Sequence, residues 1–229
     1  MDYVLQITNK NYSSWSLRPW LLMRALRIPF DEVLHRFTPG APDDFRGLSP
    51  SGKVPWLVDG ETVVWDSLAI AEYLAERHAA VWPGNAGARA WARCAAAEMH
   101  SGFSALRNHH PMNVGVRIAV PSRRPQVEAD IARILDLWRQ GLEDFGGPWL
   151  AGQSFTAADA FFAPVAFRFR TYGVTAEGPP GDYLARLLTH PAVLEWEAAA
   201  LNEDFREPVY EAALAESGRV TADYRVPAR

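Results

Sequence analysis

Cysteine is almost missing. Cys94 is the single one in 229 residues, so no internal disulfide forms, and without a CxxC pair or Cys/His cluster no metal site is expected. A reducing compartment is the expected setting. Long apolar runs are missing too: none approaches the roughly 18 residues of a membrane-crossing helix, and no membrane partner is expected. The opening MDYVLQITNK lacks the charged start, apolar stretch and small-residue cleavage site of a secretory leader, which points to a cytoplasmic location. There is no excess of positive charge, since Lys plus Arg number 23 and Asp plus Glu 27, a formal net charge of −4. With no dense basic tract, nucleic acid is not an expected partner.

What remains is the composition of an ordinary folded chain, 48% hydrophobic and 22% charged. Nine tryptophans stand out, because such rings suit pockets and interfaces. Residues 3–8, YVLQIT, read as a strand running into the polar loop NKNYSS. Apolar residues then recur at helical spacing over 16–28, with Ser16 as the expected N-cap and Pro19 in the first turn. FDEVLHRF reads as a second strand, parallel to the first by a right-handed crossover. A short helix is expected over 42–48. VPWLVDGETVVWD then gives two strands around Asp59-Gly60, a strong hairpin signal, and SLAIAEYLAERHA a helix capped by Asp66 or Ser67. After the Gly- and Pro-rich break at 82–87, helices are expected over 88–108, 125–145, 156–172, 180–188 and 190–202, with no second set of strands. The domain expectation is an α/β unit over 1–80, an all-helical unit over 88–215, and an extended or poorly ordered tail over 216–229.

Three short stretches carry chemistry. The serines of NYSSWS sit between a strand and a helix start, where hydroxyls and free amides meet a ligand, although loop and capping roles suit them as well. In SPSGKVPWL, Pro55 fits the first residue of a strand or a cis bond; a cis bond leaves the Val54 backbone free to pair with an extended peptide. In DSLAIAEYL, Asp66 and Ser67 open a helix, a place that favours a carboxylate and lets Asp66 hold an ammonium. The element order β-α-β-α-β-β-α is that of the thioredoxin-like fold, but with serines where a CxxC would stand, dithiol exchange is excluded.

Together, Ser13-Ser14-Trp15-Ser16-Leu17-Arg18, LSPSGKVPWL and DSLAIAEYL resemble the glutathione transferase superfamily across nearly the whole chain. The closest pattern is the zeta-like SSxSxR of the serine-type classes, with Trp15 standing where that class usually has cysteine. GQSFTAADAFFAP resembles the family's capping box, in which Thr156 caps a helix and Asp159 returns the bond.

The resemblance implies an α/β plus all-α fold, with a thioredoxin-like glutathione-binding domain followed by an all-helical domain for the electrophile. It implies that Ser13, or failing it Ser14, donates to the sulfur of glutathione, beside Trp15. Val54, next to Pro55, takes the cysteinyl backbone; Asp66 and Ser67 take the γ-glutamyl ammonium and carboxylate; Lys53 approaches a carboxylate of the tripeptide. His100, Phe103 and Arg107 are the expected pocket neighbours of a small electrophile. Glutathione is thus the implied co-substrate, with no metal, in a homodimer. The leading expectation is conjugation of glutathione to small apolar electrophiles, a detoxification role. Isomerisation of a maleyl-type diacid with glutathione as cofactor, peroxide reduction, and a non-catalytic binding protein of the same fold are the alternatives.

Overall fold

A computed structural model of the chain describes residues 3–38 and 45–228. Strand β1 (Val4–Thr8) alternates so that Leu5 and Ile7 are fully buried, as period-2 patterning requires. Helix α1 (Ser14–Ala25) crosses over to β2 (Asp31–His35), which pairs parallel with β1, Val4 facing Asp31. Strands β3 (Trp56–Asp59) and β4 (Thr62–Val64) form an antiparallel hairpin, and β3 also pairs antiparallel with β1. Asp59 faces Thr62, so the turn residues are Gly60 and Glu61, with Gly60 at φ +60°. Only the first turn residue needs positive φ, the II′ geometry for which glycine is suited. The sheet order is β2-β1-β3-β4, and α2 (Ser67–Ala75) follows. The short helix expected over 42–48 lies partly outside the described residues; over 45–50 the chain forms turns.

The second half is helical, as expected: α3 (Ala86–Ser101), α4 (Ser104–His109), α5 (Pro125–Phe145), α6 (Ala157–Thr171), α7 (Gly178–Leu188), α8 (Pro191–Leu201) and α9 (Pro208–Ser217). Two expectations change. The single helix over 88–108 breaks into α3 and α4 because Phe103 adopts the left-handed φ of 55°, which a continuing helix cannot hold. A two-stranded ribbon also appears where no strands were expected, β5 (Val116–Ala119) pairing antiparallel with β6 (Arg219–Asp223). The segment expected over 216–229 to be an extended or poorly ordered tail supplies, over its described residues 216–228, the end of α9 and an extended, paired strand.

Helix α6 is buried on nearly every side, the signature of a central helix. Helix α1 packs on α6 and α8, so one hydrophobic cluster runs through both halves, from Leu5 and Trp20 to Phe162 and Trp196. Trp138 of α5 meets Phe162, Phe169 and Tyr183 at ring separations of 5.9, 5.4 and 5.0 Å. The α1 start is therefore held rigidly against the helical half.

Candidate active site

The loop after β1 delivers the serines. Ser13, not Ser16, caps α1: its backbone is extended and its Oγ accepts from Ser16 N at 3.3 Å. The Ser13 hydroxyl donates to Ser16 Oγ at 2.8 Å, and Ser16 Oγ also accepts from Thr8 N at 3.3 Å. Both buried hydroxyls are therefore engaged inside the protein. Ser14 is different: it is half-buried, and its hydroxyl has no partner among the described residues. Because the helix starts three residues earlier than expected, Pro19 lies in its second turn and offers no N–H to the Trp15 carbonyl. Tyr12 fixes the loop from the other side, donating to Glu211 Oε1 at 2.7 Å and accepting from Arg225 Nη1 at 3.4 Å, with the Tyr210 ring stacked 5.3 Å away.

Two cavities adjoin at this loop. One, of about 230 Å³, lies between Ser13 and Ser14 on one side and Arg107, Met112, Arg168 and Tyr210 on the other. The second, of about 350 Å³, is bounded by Pro55, Trp65, Asp66, Ser67 and His100. Trp15, Lys53, Val54 and Arg107 line both. The Val54–Pro55 peptide is cis. At the start of α2, Asp66 Oδ1 accepts from Leu68 N at 3.0 Å and Ala69 N at 3.5 Å, while Oδ2 lies 3.2 Å from His100 Nε2. The neighbouring Ser67 hydroxyl is fully buried yet has no partner among the described residues, an arrangement that leaves hydrogen-bonding capacity for a ligand at a helix N-terminus.

Burial is the main force on the charges here. It lowers the His100 pKa, with nearby Arg18 and Arg107 acting in the same direction and Asp66 opposing. The ring is thus neutral at neutral pH and donates to Asp66. Burial also lowers Arg107, and brings Arg168 down to about 10, which leaves Arg168 cationic at neutral pH.

Ser13, Ser14, Trp15, Lys53, Val54, Pro55, Asp66, Ser67, His100 and Arg107 thus all line one or both cavities. Two of the expected electrophile neighbours shift. His100 stands with Asp66 and Ser67 in the second cavity. Phe103, only 7% exposed, belongs to the main core and lines neither, because its left-handed backbone ends the line of α3. Arg168 and Tyr210 were not anticipated. An arginine inside the apolar run PVAFRFR of a buried helix was a signal for the first; nothing in the sequence marked the second. Among the described residues no group of three or more His, Cys, Asp or Glu gathers to hold a metal, and no helix is long and apolar enough to cross a membrane.

Free hydroxyls at two helix starts, flanking the backbone ahead of a cis proline, define a thioredoxin-like ligand-binding module completed by a helical one. Family models for the N-terminal and C-terminal domains of glutathione S-transferase match residues 12–77 and 121–199. A glutathione S-transferase of zeta class from Euphorbia esula is 30% identical over 132 residues, 56% of this chain and 57% of the relative. Glutathione S-transferase GstA from Escherichia coli O157:H7 is 31% identical over 132 residues, 54% of this chain and 60% of the relative. The matches thus span less than two thirds of these curated relatives. A glutathione transferase homolog from Burkholderia GL BGR1, solved with bound glutathione, superposes with a TM-score of 0.65 at 20% identity, covering 87% of this chain and 98% of that one. The chain belongs to the glutathione transferase superfamily.

Proposed function

We propose that this protein is a glutathione transferase in which Ser14 holds the thiolate of glutathione for attack on a small electrophile. The observation that carries this reading is the pair of uncommitted hydroxyls, Ser14 and Ser67, in two cavities that meet at Val54. Glutathione spans them: its γ-glutamyl end meets Ser67 and Asp66, its cysteinyl backbone Val54 and its sulfur the start of α1. The homolog solved with glutathione and the relatives named as transferases support it.

A free thiol with a pKa near about 8.5 is only a few per cent ionised at neutral pH, and the thiolate is the nucleophile. Lowering it by about 1 to 2 units needs roughly 1.4 to 2.7 kcal/mol, which one or two hydrogen bonds to a charged acceptor supply. Ser14 has a hydroxyl proton to give. Ser13, already donating to Ser16, positions the helix start, whose positive end adds to the effect. The sulfur then bonds to the electrophilic carbon, the leaving group or π electrons depart from it, and the thiol proton passes to solvent.

The test is a turnover comparison. Ser14→Ala lowers kcat about 10- to 100-fold with the affinity for glutathione little changed, as loss of one donor to a charged group predicts. If Ser13→Ala shows that loss and Ser14→Ala does not, the donor is Ser13. Calorimetry that detects no glutathione binding at millimolar ligand would leave a non-catalytic member of the fold. A cytoplasmic homodimer with a detoxifying role belongs to the same reading; exposed apolar side chains such as Val63 and Trp65 support a second subunit, and light scattering measures the mass.

A further inference from the structure

The cavity beside Ser14 has an imbalance of charge. Among the described residues, its lining includes Lys53, Arg107 and Arg168 and no carboxylate. Among the described residues, Arg107 is bonded only to carbonyl oxygens, those of His100 at 3.2 Å and Gly102 at 3.3 Å. Arg168, 5% exposed, gives Nε to the His110 carbonyl at 2.9 Å and Nη1 to that of Pro164 at 3.3 Å. Behind them, Arg18 is 1% exposed and among the described residues reaches one acceptor, the Met99 carbonyl at 3.5 Å, with its Nε and Nη1 buried and unpartnered there. None of the three forms an ion pair among the described residues. Trp15 packs against two of them, with the Arg18 and Arg107 guanidinium carbons 4.2 and 4.6 Å from its ring centre. Arg107 and Arg168 both bear on Arg18 electrostatically, and Asp66 opposes them.

Burying cations without counterions is costly, and ring faces offset only part of that cost. Such a cluster is suited to an anion that arrives with the ligand, because planar guanidiniums match oxyanions. The glycyl carboxylate of glutathione has Lys53, at the wall that both cavities share. Arg168 lies on α6, in the helical half that faces the sulfur from the electrophile's side.

We propose that the second substrate carries a carboxylate or comparable oxyanion, received between Arg107 and Arg168, with Arg18 reinforcing the field from behind Trp15. This rests on the transferase reading and deepens it: the acceptor is an anionic electrophile, not a purely apolar one. Arg107 and Arg168 are then specificity residues, and Arg18 a positioning residue for the field they create.

Two S-aryl conjugates of glutathione test this, one with a para-carboxylate on the ring and the other with the matching carboxamide. Calorimetry on the whole chain is expected to show the carboxylate conjugate binding at least about tenfold tighter, the scale of one charge-assisted hydrogen bond. Arg107→Gln and Arg168→Gln each shrink that ratio, and Arg168→Lys keeps most of it. If Arg168→Gln fails to fold, the half-buried Arg107 still decides the matter. Equal affinities for the two conjugates in the wild-type protein, or an undiminished ratio in both glutamine variants, overturn the proposal. So does a loss of affinity for glutathione alone as large as that for the carboxylate conjugate, since the arginines would then hold the tripeptide. Glutathione binding without preference between conjugates removes the anionic acceptor alone; no binding of either conjugate or of glutathione removes the transferase reading with it.

Discussion

Two helix starts, one in each half, share a sequence signal and differ in what they leave free. At α6, Asp159 is fully buried and satisfied: Oδ1 accepts from Leu150 N at 3.0 Å, and Oδ2 from Thr156 N at 2.8 Å and Thr156 Oγ1 at 3.3 Å. That knot closes on itself and touches neither cavity of the candidate active site. At α1, Ser13 and Ser16 close on each other in the same way, but Ser14 is left over and faces a cavity. At α2 the residue left over is Ser67. Capping residues therefore serve folding where their bonds are all internal, and ligand chemistry where one remains open toward a void.

The comparison breaks most visibly at Asp159. Asp159→Ala strands two buried amides and is expected to cost about 2 to 5 kcal/mol, read as a fall in melting temperature. Burial raises this carboxyl to about 6 from its ordinary 3.8, so the folded chain holds the proton more tightly than the unfolded one. Its contribution to stability is complete at pH below 3.8, declines as pH rises through about 6 and is level above, and denaturant titrations across that range should show a slope that Asp159→Asn abolishes. Next in size is Ser67→Ala, expected to weaken glutathione about tenfold by calorimetry while leaving the melting temperature unchanged or slightly higher, because its hydroxyl lacks an internal partner. A melt lowered as much as that of Asp159→Ala would erase the distinction between the two helix starts. The smallest effect is that of Ser13→Ala on folding, about 1 kcal/mol for a lost N-cap, measured by chemical denaturation.

The α/β half was legible because its signals are local. Asp59-Gly60 marks a hairpin by backbone preference, and the alternation around Leu5 and Ile7 marks a strand. Ser13 or Ser14, Val54 and Ser67 were expected together from short motifs whose neighbours in sequence are also neighbours in space, and they line the two cavities. The helical half hid Arg168 and Tyr210 because they reach the cavity from distant elements, α6 and α9, whereas Arg107 of α4 lies in the stretch expected to face it. Period alone cannot distinguish a core residue from a cavity wall, so it points to Phe103 as a pocket neighbour and passes over Arg168. The break at Phe103 escaped notice because left-handed backbone is rare for an aromatic residue. The β5–β6 ribbon escaped because each strand is short and its partner lies about a hundred residues away, as Val116 faces Asp223.

The hydrogen bond between Tyr12 and Arg225 joins positions 213 apart in sequence. Contacts of such span form late, since a long stretch of polypeptide must first lose its freedom. During refolding, then, the Tyr12–Arg225 bond is expected to close after the local helices have formed, so recovery of activity should lag behind recovery of helical signal. A folding clock thereby runs from one extremity of the chain to the other.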